Sequence, residues 1–118
     1  MRDYSPLIIR LNDVEWDLAT REKLQFLLCA ATDRLRVFID MSAVAYMDAT
    51  CLGKLARMQK ERLCKAGLTP ATFVVAHPSL WALFELVGFG TAWPMFATLD
   101  EALADDSPED GFTHRAAI

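Results

Sequence analysis

The stretch Asp48-Ala49-Thr50-Cys51-Leu52-Gly53 brings a carboxylate, a hydroxyl and a thiol within four residues of one another. A hydroxyl at the start of a helix is exposed, and it accepts a hydrogen bond from one of the helical N–H groups that have no partner in the first turn. A hydroxyl is also a group that a phosphate can esterify. A phosphate there adds roughly −1.5 to −2 charges at pH 7. The helix dipole favours that charge, and the carboxylate of Asp48 opposes it. On local sequence alone, the plainest role for Thr50 is an N-cap and for Asp48 a loop-stabilising Asx residue. Cys51 and His77 raise the idea of a small thiol enzyme. Nucleophilic catalysis needs a base within hydrogen-bond reach and a third group to orient it, and no such orienting or oxyanion pattern is visible. Cys51 reads better as a partly buried small residue at the helix start.

Other reactive residues point to little chemistry. The remaining cysteines, Cys29 and Cys64, read as packing or surface thiols. Three cysteines, widely spaced and without a CxxC pair, fit neither a disulfide framework nor a zinc site. No GxxxxGK[ST] or GxGxxG motif occurs, so nucleotide hydrolysis by the chain is not supported and no cofactor is expected. Trp16, Trp81 and Trp93 read as core or edge residues. If Trp81, Phe84 and Phe89 were exposed together, they would form a docking patch.

The elements that must position this junction follow from periodicity. Leu7-Ile8-Ile9-Arg10-Leu11 reads as a strand, followed by a turn at Asn12-Asp13. A helix capped by Asp17 or Thr20 carries Leu24, Leu27, Leu28 and Ala31 on one face. Arg36 to Met41 is short, apolar and β-branched, as a central strand covered on both sides would be. Ser42 to Met47 reads as a connection. A helix from about Thr50 or Cys51 to Lys65 turns Leu52, Leu55, Ala56 and Leu63 inward and Arg57, Lys60, Glu61 and Lys65 outward, with Gly67 as its C-cap. Thr72 to Ala76 is another buried strand, and Pro78-Ser79 opens a helix that closes at Gly88. Trp93 to Phe96 fits an edge strand, where Pro94 is tolerated. Thr98 to Glu101 has the pattern of a capping box for a short last helix that ends near Asp105. Alternation of strand and helix makes the class α/β, with right-handed parallel crossovers.

The chain has 118 residues, 53% of them hydrophobic, and a formal net charge of −4. This is enough for one domain with its own core. The absence of a basic cluster disfavours nucleic acid as a partner. No apolar run is long enough for a membrane span, so no direct membrane insertion is expected. Met1 to Pro6 does not read as a secretion signal, and the cysteine usage fits a reducing, cytoplasmic setting.

Together these segments resemble the STAS domain family, from about residue 5 to 104. Val37-Phe38-Ile39-Asp40-Met41-Ser42-Ala43-Val44 is similar to the family's central strand and turn, and Tyr46-Met47-Asp48-Ala49-Thr50-Cys51-Leu52-Gly53 to its Asp-Ser-Ser-Gly junction. Gly67 to Val75, Leu83 to Phe89 and Leu99-Asp100-Glu101-Ala102-Leu103 resemble later segments. Ala49 stands where the family has its first serine and Cys51 where it has glycine. The resemblance implies a single STAS-like domain over residues 1–105, with a mixed, mostly parallel sheet of four to five strands and about four helices. Residues 106–118 are expected to form a mobile acidic and polar tail. It also implies a non-enzymatic anti-sigma-factor antagonist. Such a protein binds an anti-sigma factor that is also a serine kinase, using ATP bound by that partner, and is switched off by phosphorylation, here at Thr50. The partner-binding residues carried over are Asp48, Ala49, Thr50, Cys51, Leu52 and Lys54. A STAS subunit supporting a transporter ATPase in a phospholipid-transport complex, or a stressosome-type module acting by contact, is the alternative within the family. A homodimer is compatible with any of these.

Overall fold

The computed structural model describes residues 5–65 and 67–105. The expected tail, 106–118, and most of the stretch Met1 to Pro6 lie outside the described residues. Four strands form the main sheet in the order β1-β3-β5-β6: β1 (Leu7–Arg10), β3 (Val37–Asp40), β5 (Thr72–Val74) and β6 (Met95–Phe96). Every pairing in it is parallel. Helices α1 (Arg21–Cys29), α2 (Ala49–Leu63) and α3 (Pro78–Leu86) make the connections, as parallel pairing requires.

All four residues of β3 are buried, which explains why its sequence shows no alternation. Ile9, Val37, Ile39 and Phe73 turn to one face, in a core shared with Leu24, Leu28, Leu55, Met58, Leu80 and Phe84 from the three helices. Phe38 and Val74 turn to the other face, where Ala102 of α5 (Leu99–Asp105) closes a smaller cluster flanked by Ile8, Phe96, Leu99 and Leu103. The Thr98 half of the capping box forms at α5: the Glu101 N–H donates to Thr98 Oγ1 at 3.1 Å. No helix among the described residues is long and apolar enough to cross a membrane.

Three features differ from the sequence reading. First, the stretch between the Asn12-Asp13 turn and α1 and the Ser42 to Met47 connection each contain a short strand, β2 (Glu15–Trp16) and β4 (Tyr46–Met47), which pair in parallel as a separate small sheet. Strands of two residues carry no periodicity to read. Second, the helix ending at Gly88 is followed at once by a short helix, α4 (Phe89–Ala92), so the described residues hold five helices. Gly88 has φ +86°, a left-handed conformation that reverses the chain without the strain a side chain would bring. The reversal packs Phe89 against Phe84 and Trp93, with ring centroids 5.2 and 4.7 Å apart. The aromatic docking patch is thereby excluded: Phe84 and Phe89 are buried, and only Trp81 is half-exposed.

Third, Leu63 points outward, 54% exposed, while Arg62 is fully buried. The end of α2 lies under two loops whose carbonyls face inward, and the guanidinium serves them. Its Nε donates to Thr69 O at 2.9 Å, Nη1 to the carbonyls of Ala31 and Arg34, and Nη2 to Leu35 O at 3.2 Å. One turn earlier, buried Gln59 exchanges two hydrogen bonds with the backbone of Ala71, at 2.8 and 2.7 Å. These polar groups fix the far end of α2.

Candidate functional site

The junction between β4 and α2 is held by backbone bonds to the segment that follows β1. The amides of Ala45 and Tyr46 both donate to Val14 O, at 2.8 and 3.2 Å, and Asp48 N–H donates to Trp16 O at 2.9 Å. Trp16 is fully buried and donates its indole N–H to Asp13 O at 2.8 Å. Asp13 also holds Lys23 Nζ at 2.9 Å. The Asp17 to Thr20 turn closes on itself, with Asp17 N–H donating to Thr20 Oγ1 at 2.8 Å and Ala19 N–H to Asp17 Oδ1 at 3.0 Å. Thr20 is the residue before α1, as expected, but its side chain serves this turn instead of capping the helix.

Asp48, not Thr50, is the N-cap of α2. Its Oδ1 accepts the Cys51 N–H at 3.0 Å, the bond an N-cap makes with the third helical residue. Thr50 thus stands as the second residue of the helix, exposed beside exposed Ala49, with its hydroxyl not needed for capping. Gly53, one turn on, is also exposed, and a Cβ built there would meet nothing within 4 Å. Lys54, four residues after Thr50, is half-buried and donates from Nζ to Gln25 Oε1 of α1 at 3.0 Å.

Cys51 and Leu52 belong to the interior. Cys51 is fully buried and Leu52 is 9% exposed. Their side chains present no surface to a partner, which corrects the expectation for both. A helix beginning at Ala49 turns its third and fourth residues onto the sheet. Cys51 Sγ donates to Asp17 O at 3.5 Å and so joins the turn before α1 to α2. Burial, followed by the nearby Asp48 carboxylate, pushes its pKa up to about 11. The thiol stays protonated at neutral pH, the opposite of a nucleophilic cysteine. His77 is occupied elsewhere: as N-cap of α3, its Nδ1 lies 2.8 Å from Ser79 Oγ and accepts Ser79 N–H at 3.3 Å. Ser79 Oγ in turn donates to Ala45 O at 3.3 Å, which ties α3 to the strand leading into the junction. The thiol-enzyme reading has neither a thiolate nor a base poised to make one. Among the described residues, no cluster of three or more His, Cys, Asp or Glu side chains could hold a metal ion.

The structure adds three residues that sequence reading missed. Val14, Leu18 and Tyr46 are 58%, 60% and 51% exposed. Each belongs to a segment bonded to the junction: Val14 O receives the Tyr46 amide, and Leu18 lies in the turn that Cys51 holds. Their exposure depends on the β2–β4 pairing, for which the sequence carries no local signal. This end of the molecule therefore carries three exposed apolar side chains on segments bonded to the junction, together with the exposed Thr50.

No family model matches the sequence, and no curated protein is similar to it at a significant level. Solved structures are similar. An anti-sigma factor antagonist from Mycobacterium paratuberculosis superposes with a TM-score of 0.73 at 25% identity, covering 84% of this chain and 83% of its own. The anti-sigma factor antagonist SpoIIAA in its unphosphorylated form gives 0.63 at 21% identity over 87% and 89% of the two chains. The phosphorylated form of the Bacillus cell fate determinant SpoIIAA gives 0.62 at 22% identity over 88% and 93%.

Proposed function

Starting from the STAS fold that this chain shares with anti-sigma factor antagonists, we propose that it is itself such an antagonist, a binding protein and not a catalyst. In this reading the β4–α2 junction docks on an anti-sigma factor with serine-kinase activity in the cytoplasm, and phosphorylation of Thr50 releases it. The observation that carries the proposal is the placement of Thr50: exposed, in the first turn of α2, with the cap already supplied by Asp48. Its hydroxyl is free for a kinase, and modifying it removes no structural bond at the cap. Similarity to SpoIIAA in both phosphorylated and unphosphorylated forms supports the same role.

The contact surface is Ala49, Thr50 and Lys54 with the backbone around Asp48, widened by Val14, Leu18 and Tyr46. Phosphate at Thr50 is tolerated by the free protein, because the helix dipole offsets repulsion from Asp48. In a complex it places an unpaired dianion in a buried interface, at a cost of several kcal/mol, which shifts affinity by orders of magnitude.

The test is incubation with the serine-kinase anti-sigma factor encoded in the same operon and ATP, with phosphate mapped by mass spectrometry. The expected result is one phosphate at Thr50, none on Thr50→Ala, and dissociation of the complex on labelling. An active kinase that leaves Thr50 unmodified overturns the switch. Stable capture of a transporter ATPase in place of an anti-sigma factor would favour the transport-complex reading.

A further inference from the structure

Away from the junction, the outer edge of β1 is open. In the sheet order β1-β3-β5-β6, β1 is terminal, and no strand among the described residues pairs with its outer side. The amides of Leu7 and Leu11 donate to the carbonyls of Arg36 and Asp40 on the β3 side. Alternation along a strand therefore turns the N–H and C=O groups of Ile8 and Arg10 outward. An open edge is normally blunted by charge, proline or a covering element. Here the strand carries one charge, Arg10.

Beside this edge runs a groove of about 530 Å³ whose lining includes Ile8, Ile9, the charged Arg10, Phe26, Leu27 and Ala30. Phe26 is 79% exposed, an aromatic ring standing out of α1 over its own groove. Knob, hole and unpaired strand thus occupy one patch.

We propose that this patch is a homodimer interface in which β1 of two copies pair antiparallel about a two-fold axis. The occupant is a second copy because the patch is self-complementary, as an isologous interface requires. With the axis through Ile9, the outward groups of Ile8 meet those of Arg10 of the other copy, and both pairs exchange two hydrogen bonds. Each Phe26 then covers the other copy's groove. An aromatic side chain buries about 150–250 Å², so two rings with the strand edges and groove walls amount to roughly 1,000 Å². This falls at the low end for specific interfaces, where association is reversible and weak. The main sheet becomes a continuous eight-stranded sheet, four strands from each copy. Thr50 plays no part in the contact, so the dimer is independent of the phosphorylation proposal.

The experiment is sedimentation equilibrium of the full chain from about 1 μM to 1 mM, a range that brackets weak association, with amide hydrogen exchange by NMR at both ends. Dimer is expected to build up with concentration, with exchange at Ile8 and Arg10 slowed several-fold and Ile9 unchanged. Phe26→Glu, at a surface position, is expected to abolish dimer while keeping the circular dichroism spectrum. Leu86→Glu, equally exposed at 82% but on α3, is expected to leave it intact. A monomer throughout the range, or a dimer that survives Phe26→Glu, or one without slowed exchange at Ile8 and Arg10, overturns the proposal.

Discussion

Asp48 carries two separable loads, and replacing it in two ways separates them. Its carboxylate caps α2 by accepting the Cys51 N–H at 3.0 Å, and its charge helps hold the Cys51 pKa up near 11. Asp48→Ala removes both. Loss of an N-cap costs about 1 kcal/mol, which for a domain of this size lowers Tm by about 4–8 °C. Asp48→Asn keeps an acceptor oxygen at the same place, so its loss is expected to be a few tenths of a kcal/mol. Both variants drop the charge, and both are expected to bring the Cys51 pKa down. It should remain above the ordinary 9.0, because burial is the largest cause of the shift and is unchanged. Urea denaturation measures the first effect. The second is read from thiolate absorbance against pH, in a background where Cys29 and Cys64 are replaced by serine. If Asp48→Asn loses as much stability as Asp48→Ala, the cap is not the source of the stabilisation. If the Cys51 pKa is unmoved in both, the carboxylate does not reach the thiol as the geometry requires.

Three further outcomes follow from the same structure. Because the folded state holds the Cys51 proton more tightly than the unfolded chain, the stability it contributes is complete below pH 9 and is lost as pH rises toward 11; Cys51→Ala should flatten that decline in denaturation curves. Arg62→Ala leaves four carbonyls without their donor, at about 1 kcal/mol each, so a loss of roughly 4 kcal/mol is expected from urea denaturation. A loss below about 1 kcal/mol would mean that water replaces the guanidinium. Thr50→Glu puts a negative charge in the first turn and four residues before Lys54, both favourable. Stability should hold or rise by up to about 1 kcal/mol while affinity for the proposed anti-sigma-factor partner falls, and Lys54→Ala should remove about 0.2–0.5 kcal/mol of that gain in a double-mutant cycle.

Much of the fold was legible because its elements follow local rules. The uninterrupted apolar run Val37-Phe38-Ile39 belongs to the strand covered on both faces. Leu24, Leu27 and Leu28 of α1 and Ala31 just past its end pack inward, and Thr98 caps α5 through its hydroxyl. Leu63, expected to face inward, is exposed, because helical spacing places both Arg62 and Leu63 near the inward face and the loop carbonyls that Arg62 serves decide between them. The sequence reading places the cap at Thr50, two residues after its actual place at Asp48. Asp48 and Thr50 are both competent caps, and it is the bond from Asp48 N–H to Trp16 O that sets where the chain enters the helix.

By itself the sequence determined the α/β order and the junction at residues 48–53, since hydrophobic period and capping chemistry act over a few neighbouring residues. Tertiary structure decided which side chains of that junction face outward. It buried Cys51 and Leu52, left Thr50 in solvent, and tied the segments that carry exposed Val14, Leu18 and Tyr46 to the junction. Those outcomes rest on contacts between segments far apart in the chain, the β2–β4 pairing and the Cys51 to Asp17 bond. Their energy arises only once the sheet has brought the segments together, so no local pattern records them.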